Sequence, residues 1–479
     1  MKVKSRNEIP SAWKVMTIQE IADVNPRLKK DGIPEELTVS FVPMPSVGAG
    51  DGTIDVQQTR TFSEVKKGYT AFQEGDVLFA KITPCMENGK MAVVPKVING
   101  YGFGSTEFHV LRPKPGIDSR YLYHFISSKD FRGEAERYMT GAVGQKRVSA
   151  TYLKEHVIPV APLEQQRSIV AEIEKQFSRL DEAVTSLKRA KANLKRYKVA
   201  VLKAAVEGKL TEEWRKQHPD VEPASELLKR ILAERRRKWE EAELAKMRAK
   251  GKEPKDDKWK QRYKEPELAG NQNAEMPNTW QSINMNQVTF LDVGFAFKSK
   301  KFEKRGIRLL RGENVEPGTL RWQNVKYWPE DKIEENKNLL IAEGDIILAM
   351  DRPLVSSGLK LARAKRADLP CLLVQRVARF RPVISSMTEY LNIVMQNDSF
   401  IRHLVGGQTG TQLPHISGEG ILSFDLRLPP LSEQSQIVEK VDRFQTTADE
   451  IGQRINANLV RAKQLQQEIL KRAFAGSLF

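Results

Sequence analysis

Residues 162–170 read Pro-Leu-Glu-Gln-Gln-Arg-Ser-Ile-Val, and residues 430–438 read Pro-Leu-Ser-Glu-Gln-Ser-Gln-Ile-Val. The two stretches lie 268 positions apart, and each begins with proline, a residue that favours the first turn of a helix. An apolar stripe with heptad spacing follows each proline. The first stripe is Ile169, Ile173, Phe177, Leu180, Val184, Leu187, Leu194 and Val201. The second stripe is Ile437, Val441, Phe444, Ala448, Ile451, Ile455, Leu459, Ala462 and Ile469.

These stripes predict two long helices that end at glycines suited to a left-handed cap, Gly208 and Gly476. At ~1.5 Å per residue, each helix of about 40 residues is roughly 60 Å long. A helix with one apolar stripe needs a partner. Each stripe could pack on its own globular domain, but two equal stripes in one chain favour an antiparallel coiled coil between them.

Three further matches have nearly the same offset, which indicates a tandem duplication of a unit longer than 200 residues. Ile9-Pro10-Ser11-Ala12-Trp13 corresponds to Met276-Pro277-Asn278-Thr279-Trp280. Glu74-Gly75-Asp76-Val77-Leu78 corresponds to Glu343-Gly344-Asp345-Ile346-Ile347. The helix end Leu202–Leu210 corresponds to Leu470–Leu478.

The segment before each helix consists of short apolar runs separated by Gly, Pro and Asn, as in a mixed α/β globular domain. Asp76–Ala80 is a candidate buried strand, and Phe108–Arg112 alternates like a strand. We therefore expect a mixed α+β fold in tandem duplication, with a long helix after each copy. The expected divisions are a first domain (1–158), a central helix (159–210), a charged insert (211–275), a second domain (276–425) and a distal helix (426–479).

The composition favours binding to a polyanion. The 479 residues include 78 Lys and Arg against 61 Asp and Glu, a net charge of +17, so nucleic acid is the default partner. Two cysteines and six scattered histidines exclude a disulfide framework or a thiolate zinc cluster. No apolar stretch is long enough to span a membrane, and the first residues do not resemble a signal peptide, so a cytoplasmic location is expected.

Catalytic motifs are missing from the sequence. The segment Asn25-Pro26-Arg27-Leu28 lacks the second proline and the aromatic residue of an amino-methyltransferase loop. No Gly-x4-Gly-Lys-Ser/Thr phosphate loop occurs. The sequence therefore predicts a binding protein with no catalytic or metal-binding residues.

Two variable domains, each followed by a heptad helix that begins at Pro-Leu-x-x-Gln or Pro-Leu-x-Glu-Gln, resemble the specificity subunit of type I restriction–modification systems. The resemblance covers almost the whole chain apart from the insert. It implies that each domain is a target-recognition domain for one half of a split DNA sequence. A helix rod of roughly 60 Å can hold two such domains about one DNA turn, roughly 34 Å, apart.

The resemblance also implies the partners of the chain. These are double-stranded DNA, two methyltransferase subunits docked on the helices, and motor-nuclease restriction subunits. S-adenosylmethionine, ATP and magnesium are expected on those partner subunits and not on this chain, which has no membrane partner.

Two features depart from the family pattern. The first domain has Gly144-Gln145-Lys146-Arg147 where Gly-Thr-Gln is common, whereas the second has Gly410-Thr411-Gln412. The insert also lengthens the connection between the copies. The alternatives are a basic coiled-coil scaffold without sequence-specific DNA binding, or a DNA-modifying enzyme with unrecognised motifs.

Polar side chains in Gly-rich or Pro-flanked turns are the candidates for contact with DNA, because such turns bring side chains close to a ligand. The first-domain candidates are Lys81, Thr83, Gln145, Lys146 and Arg147. The second-domain candidates are Arg308, Arg311, Asn314, Arg352, Gln412 and His415.

Overall fold

The structure is a computed structural model that describes residues 10–142, 144–267, 276–406 and 415–478. The chain divides into two compact units. The first unit comprises Met1–Ala190 with Arg454–Phe479, and the second comprises Lys191–Gln453. Within the described ranges, none of the helices is both long and apolar enough to cross a bilayer.

The first unit contains the first domain. Its strands are β1 Lys14–Thr17, β2 Ala22–Val24, β3 Thr38–Val42, β4 Thr59–Thr61, β5 Thr70–Phe72, β6 Val77–Ala80, β7 Met91–Val93, β8 Gly102–Gly104, β9 Phe108–Pro113 and β10 Val157–Val160. Its helices are α1 Ile18–Ile21, α2 Phe62–Val65, α3 Ser119–Ser127, α4 Lys129–Arg137, α5 Ala150–Glu155 and the start of α6 Leu163–Val206. The strands form sheets in the orders β1-β10, β2-β9-β6-β7 and β4-β3-β8-β5.

The second unit contains the insert, the second domain and the start of the distal helix. Its strands are β11 Gln281–Asn284, β12 Thr289–Val293, β13 Ile307–Leu310, β14 Val315–Glu316, β15 Thr319–Leu320, β16 Tyr327–Trp328, β17 Ile346–Ala349, β18 Leu354–Val355, β19 Gly358–Leu359, β20 Leu361–Arg363, β21 Cys371–Leu373, β22 Val377–Pro382 and β23 Asp425–Leu428. Its helices are α7 Glu212–Gln217, α8 Ala224–Ala249, α9 Met285–Val288, α10 Thr388–Met395, α11 Asp398–Gly406, α12 Gly418–Leu422 and the start of α13 Leu431–Phe474.

The predicted duplication is confirmed at the level of strand register. In the first domain β6 pairs antiparallel with β9, with Val77 opposite Leu111. In the second domain β17 pairs antiparallel with β22, with Ile346 opposite Phe380, and both positions are shifted by 269. The parallel pairs β3–β8 and β13–β21 also correspond in register. The mixed α+β fold is therefore built twice on one plan.

The repeated Gly-Asp motif turns the chain into the central strand of each domain. Gly75 and Gly344 have φ of +82° and +87°, a backbone conformation that glycine adopts readily. Asp76 Oδ2 accepts a hydrogen bond from the Gln73 N–H (2.9 Å), and Asp345 Oδ2 accepts one from the Ala342 N–H (2.9 Å). Each carboxylate thus closes the turn before β6 or β17, the strand whose far end leads into the predicted DNA-contact turns.

The antiparallel pairing of α6 with α13 is confirmed. In the first unit Ile169 and Ile173, near the start of α6, share a core with Ile469 near the end of α13. In the second unit Val201 of α6 shares a core with Ile437 of α13. Gly208 and Gly476, with φ of +78° and +69°, end the two helices as predicted.

One member of the predicted α13 stripe lies outside the seam. The Ile451 side chain is 43% exposed, whereas Ala448 and Ile455 are buried. The neighbouring Gly452 faces the other helix, since a Cβ built there would lie 3.7 Å from Leu194 Cδ2. The prediction was wrong at Ile451, because the seam passes from Ala448 through Gly452 to Ile455 and leaves Ile451 on the outer side of the helix.

The charged insert is partly built into the second domain. Ala224, Leu227 and Ile231 of α8 are fully buried in the core of that unit. Arg235 of α8 also donates hydrogen bonds to Thr289 O (2.9 Å) and to Asn286 Oδ1 (2.9 Å). The start of the insert therefore serves as a packed element of the domain, while the domain boundaries drawn from the sequence stay predictions.

Candidate nucleic-acid interface

Three chain segments meet at the end of β6 in the first domain. The Lys81 N–H donates to Glu107 O (2.9 Å), and the Val148 N–H donates to Lys81 O (2.9 Å). The Thr83 N–H donates to Lys146 O (3.0 Å). The turn after β6, the residue before β9 and the segment before α5 are thus fixed side by side.

The second domain repeats this arrangement at the end of β17. The Met350 N–H donates to Arg376 O (2.9 Å), and the Ile416 N–H donates to Met350 O (3.0 Å). Each bond matches a first-domain bond at an offset of 268 or 269 positions. The same backbone site is therefore present once in each domain, and we call these the first and second three-segment sites.

The first three-segment site brings together all five first-domain candidates. Arg147 donates from Nε and Nη2 to the Glu107 carboxylate, at 2.9 and 2.8 Å. The Arg147 guanidinium lowers the pKa of the Glu107 carboxyl by hydrogen bonding, so this carboxyl stays ionised. Lys146 and Gln145 are exposed, and Thr83 Oγ1 donates to Glu87 Oε1 (2.7 Å).

The second three-segment site contains Arg352 and His415 from the predicted set. His415 Nδ1 lies 2.8 Å from Asp351 Oδ1, and the same oxygen accepts a hydrogen bond from Arg376 Nη1 at 3.0 Å. Arg352 and Arg376 have φ of +44° and +69°, which residues other than glycine rarely adopt. Gln412, with its Gly410-Thr411-Gln412 motif, lies outside the described residues.

The other three candidates lie on β13 and in the turn that follows it. Arg308 donates to Leu369 O (2.7 Å) and stacks on the Trp322 ring, and Arg311 pairs with Glu313. Asn314 is only 1% exposed and its amide bonds to backbone groups of the turn. The structure therefore places Arg308 and Asn314 as supports of the turn, and their contact with DNA stays a prediction.

Sequence reasoning missed three charged members of the two sites: Glu107, Asp351 and Arg376. The duplication gives only a partial signal for them. Arg147 and His415 are 268 positions apart, and Glu107 and Arg376 are 269 apart. Superposing the two copies in sequence pairs Arg147 with the nominated His415 and pairs Glu107 with Arg376, but it does not by itself nominate Glu107, Asp351 or Arg376. Across the described parts of the chain, no group of three or more His, Cys, Asp or Glu side chains is placed to hold a metal ion.

Comparison with known proteins agrees with this architecture. A family profile described as "Type I restriction modification DNA specificity domain" matches residues 10–196 and again 277–461. The type I restriction enzyme EcoAI specificity subunit of Escherichia coli is 33% identical, over 93% of this chain and 79% of the relative. The EcoKI specificity subunit of E. coli K12 is 25% identical, over 83% of this chain and 76% of the relative.

Two solved structures share the fold. The HsdS subunit from Thermoanaerobacter tengcongensis matches with a TM-score of 0.62 at 18% identity, over 98% of each chain. A chain from work on complex assembly and conformational transition of the type I R-M system matches with a TM-score of 0.69 at 18% identity, over 98% of this chain and 99% of that one. Two profile matches in tandem and a relative of 33% identity lead to one conclusion: the chain belongs to the family of type I restriction–modification specificity subunits, which recognise DNA and are not catalytic.

Proposed function

We propose that this chain recognises a split sequence in duplex DNA, with one half read by each domain, and that it docks two methyltransferase subunits. The observation that carries the proposal is the pair of three-segment sites. Two backbone hydrogen bonds of the first site recur in the second, but the side chains that the two sites hold are different. Base edges are distinguished by their pattern of hydrogen-bond donors and acceptors. Two domains that recognise different half-sites can therefore share a backbone scaffold but need different polar side chains on it.

The charge of the chain supports binding to the DNA backbone. The net charge is +17, and Lys146 and Arg352 are exposed within the two three-segment sites. Lysine and arginine contacts to phosphates supply affinity and position, while side chains at base edges supply specificity. Both types of contact are available at each site.

A second duplicated feature supports two docking positions for one kind of partner. In the first unit an open groove of about 710 Å³ lies between the α3–α4 region and α13. In the second unit a groove of about 360 Å³ lies between the α10–α11 region and α6. The first is lined by Phe125, Ser128, Lys129, Gln467, Lys471 and Phe474, and the second by the corresponding Val394, Asn397, Asp398, Val199, Lys203 and Val206.

We assign the methyltransferase subunits to these two grooves. The methyl donor S-adenosylmethionine then belongs to the methyltransferase subunits. ATP and magnesium belong to motor-nuclease subunits that join the same complex. This chain itself then needs no site for any of these groups.

Methylation mapping tests the recognition part. The full chain is expressed with its methyltransferase subunits, and methylated sites are mapped across a genome. Replacing residues 276–425 with the corresponding domain of a relative should change one half of the methylated sequence and leave the other half intact. A swap that changed both halves would show that the domains are not separate readers.

Stoichiometry tests the docking part. Lys203→Glu and Lys471→Glu reverse a charge in one groove each, so each variant should bind one methyltransferase subunit and the double variant none. Lys195→Glu, on α6 outside both sets of lining residues, is the matched control and should bind two. Native mass spectrometry of the assembled complex gives the count. Two subunits retained by the double variant would place the docking surface elsewhere.

A further inference from the structure

We propose that each domain reads a guanine through one arginine that is braced by a carboxylate, and that the two domains carry this arginine on different segments. The reader is Arg147 in the first domain and Arg376 in the second. This inference rests on the proposed recognition of a split DNA site and assigns a base and a residue to each half.

Register establishes which residues correspond. Ala80 is opposite Phe108 in the first domain, and Ala349 is opposite Val377 in the second, so Glu107 and Arg376 both directly precede the paired strand. Isolated β-bridges join Ile82 to Arg147 and Asp351 to His415. These are the same bridge in the two copies.

The carboxylate and the arginine therefore lie on different segments in the two domains. In the first domain the carboxylate precedes β9 and the arginine lies in the returning segment before α5. In the second domain the arginine precedes β22, and the carboxylate, Asp351, lies in the turn after β17. The ion pair is kept while the position of its guanidinium changes, so the two domains present this group to different base pairs.

Arg147 keeps one edge of its guanidinium available. Nε and Nη2 each direct one N–H to Glu107, and Nη1 directs one N–H to Gln145 O at 2.9 Å. A guanidinium has five N–H donors, and the described contacts of Arg147 use three of them. The remaining Nη2 donor lies on the edge opposite Glu107 and can donate to the O6 or N7 acceptor of guanine, and the side chain is 41% exposed.

Arg376 is more open. Its side chain is 53% exposed, and among the described residues only Asp351, through Nη1, is hydrogen-bonded to its guanidinium. The Nε and Nη2 edge is therefore available as a two-donor fork. Asp351 is itself held by His415 at 2.8 Å, which fixes the carboxylate that orients Arg376.

The left-handed backbone at Arg376 indicates that the surrounding structure holds this residue in a specific conformation. Its φ of +69° occurs in the turn directly before β22, where its carbonyl oxygen accepts the Met350 N–H. Residues held in this region tend to cluster at binding sites, because the surrounding structure must enforce the conformation. Arg321 is the matched control, because it lies outside both three-segment sites and pairs through Nη1 with Glu316 at 3.0 Å, with its side chain 54% exposed.

The test is methylation mapping of the full chain with its methyltransferase subunits, first for the unaltered protein. Arg147→Gln should abolish the preference for guanine at one position of the first half-site, a loss of discrimination of roughly 10- to 100-fold. Arg376→Gln should do the same at one position of the second half-site. Arg321→Gln should leave the recognised DNA sequence unchanged.

Glu107 and Asp351 are positioning residues. Glu107→Gln should weaken discrimination at the same base pair as Arg147→Gln, and the double variant should be no worse than Arg147→Gln alone. A loss of folding would instead lower activity on all sequences and the Tm, without changing the preferred base.

Three results separate the inference from the proposed function. A split site that keeps its guanine preferences in both arginine variants would overturn the inference and leave the proposed function intact. If one half-site of the unaltered protein contained no guanine, the inference would be overturned for the domain that reads that half-site, and the proposed function would stay intact. If the unaltered chain directed no split-site methylation, the proposed function would fail, and the inference with it.

Discussion

The Trp280 indole N–H donates a hydrogen bond of 2.9 Å to the carboxylate of Glu433, a side chain with no solvent exposure. The corresponding pair in the first unit is neutral, because the Trp13 indole donates to the amide oxygen of Gln165 at 3.0 Å. The buried charge of Glu433 is balanced by Arg215 at 2.5 Å, and Arg215 also bonds to the carbonyl of Gly208 at the end of α6. One copy thus has a buried ion pair where the other has an amide.

Glu433→Gln should therefore destabilise the second unit by about 2 kcal/mol, because Arg215, whose side chain is only 16% exposed, then has lost its buried counter-charge. Urea unfolding measures the loss. Adding Arg215→Gln should recover part of it, since no unbalanced charge remains. A double variant whose loss equals the sum of the two single losses would contradict a coupled pair.

The position of the coiled-coil seam predicts that two isoleucines of α13 contribute very differently to stability. Ile455 is 6% exposed, so Ile455→Ala should cost about 2–4 kcal/mol through lost burial and a residual cavity. Ile451 is 43% exposed, so Ile451→Ala should cost less than ~1 kcal/mol. Thermal unfolding of the two variants gives the comparison. Equal losses of stability would show that Ile451 packs in the seam, as the sequence predicted.

The sequence predicted two kinds of feature: helices marked by a regular apolar spacing, and domains marked by motifs that recur at a fixed offset. The two long helices follow from 3.5-residue spacing, and the paired domains follow from matches such as Trp13 and Trp280. The position of Gly452 in the seam could not be predicted, because glycine has no apolar side chain to mark it. The burial of α8 was also missed, since the charged residues of the insert outnumber its three core residues.

The candidate site was predicted only as a set of separate turns. Arg147 and Glu107 lie 40 positions apart, and their contact depends on how β6 and β9 bring two loops together. Asn314 was nominated because its side chain is polar and lies in a turn. In the structure the Asn314 amide instead forms hydrogen bonds with backbone groups of the turn. Sequence alone cannot distinguish this structural role from contact with DNA.

Asn314→Ala should act on stability. Asn314 Oδ1 accepts the Arg311 N–H (3.1 Å), and Nδ2 donates to Arg321 O (3.0 Å) in a buried setting. Losing both bonds should cost about 1–3 kcal/mol. The exposed neighbour Gln323 is the control, and Gln323→Ala should change the unfolding free energy by less than ~0.5 kcal/mol. Urea unfolding at constant salt measures both. If Asn314→Ala left the stability unchanged but altered the DNA sequence that the protein recognises, Asn314 would be a DNA-contact residue.

The first domain should lose stability as the pH falls from 7.5 to 5.5. Burial lowers the pKa of His109, whose ring bonds to Val148 O (2.9 Å) and contacts the Asn25 amide, and burial also lowers the pKa of His156. The unfolded chain, in which histidine titrates near ~6.5, then binds more protons than the folded chain, so stability falls below that pH. His109→Gln should reduce this pH dependence, because glutamine takes up no proton, and the contribution of His156 should remain. His218→Gln, at an exposed position in the insert, should leave it unchanged. Peptide-resolved hydrogen exchange across β9 measures the local unfolding free energy at each pH. A pH dependence as steep in His109→Gln as in the unaltered chain would show that another group carries the acid sensitivity.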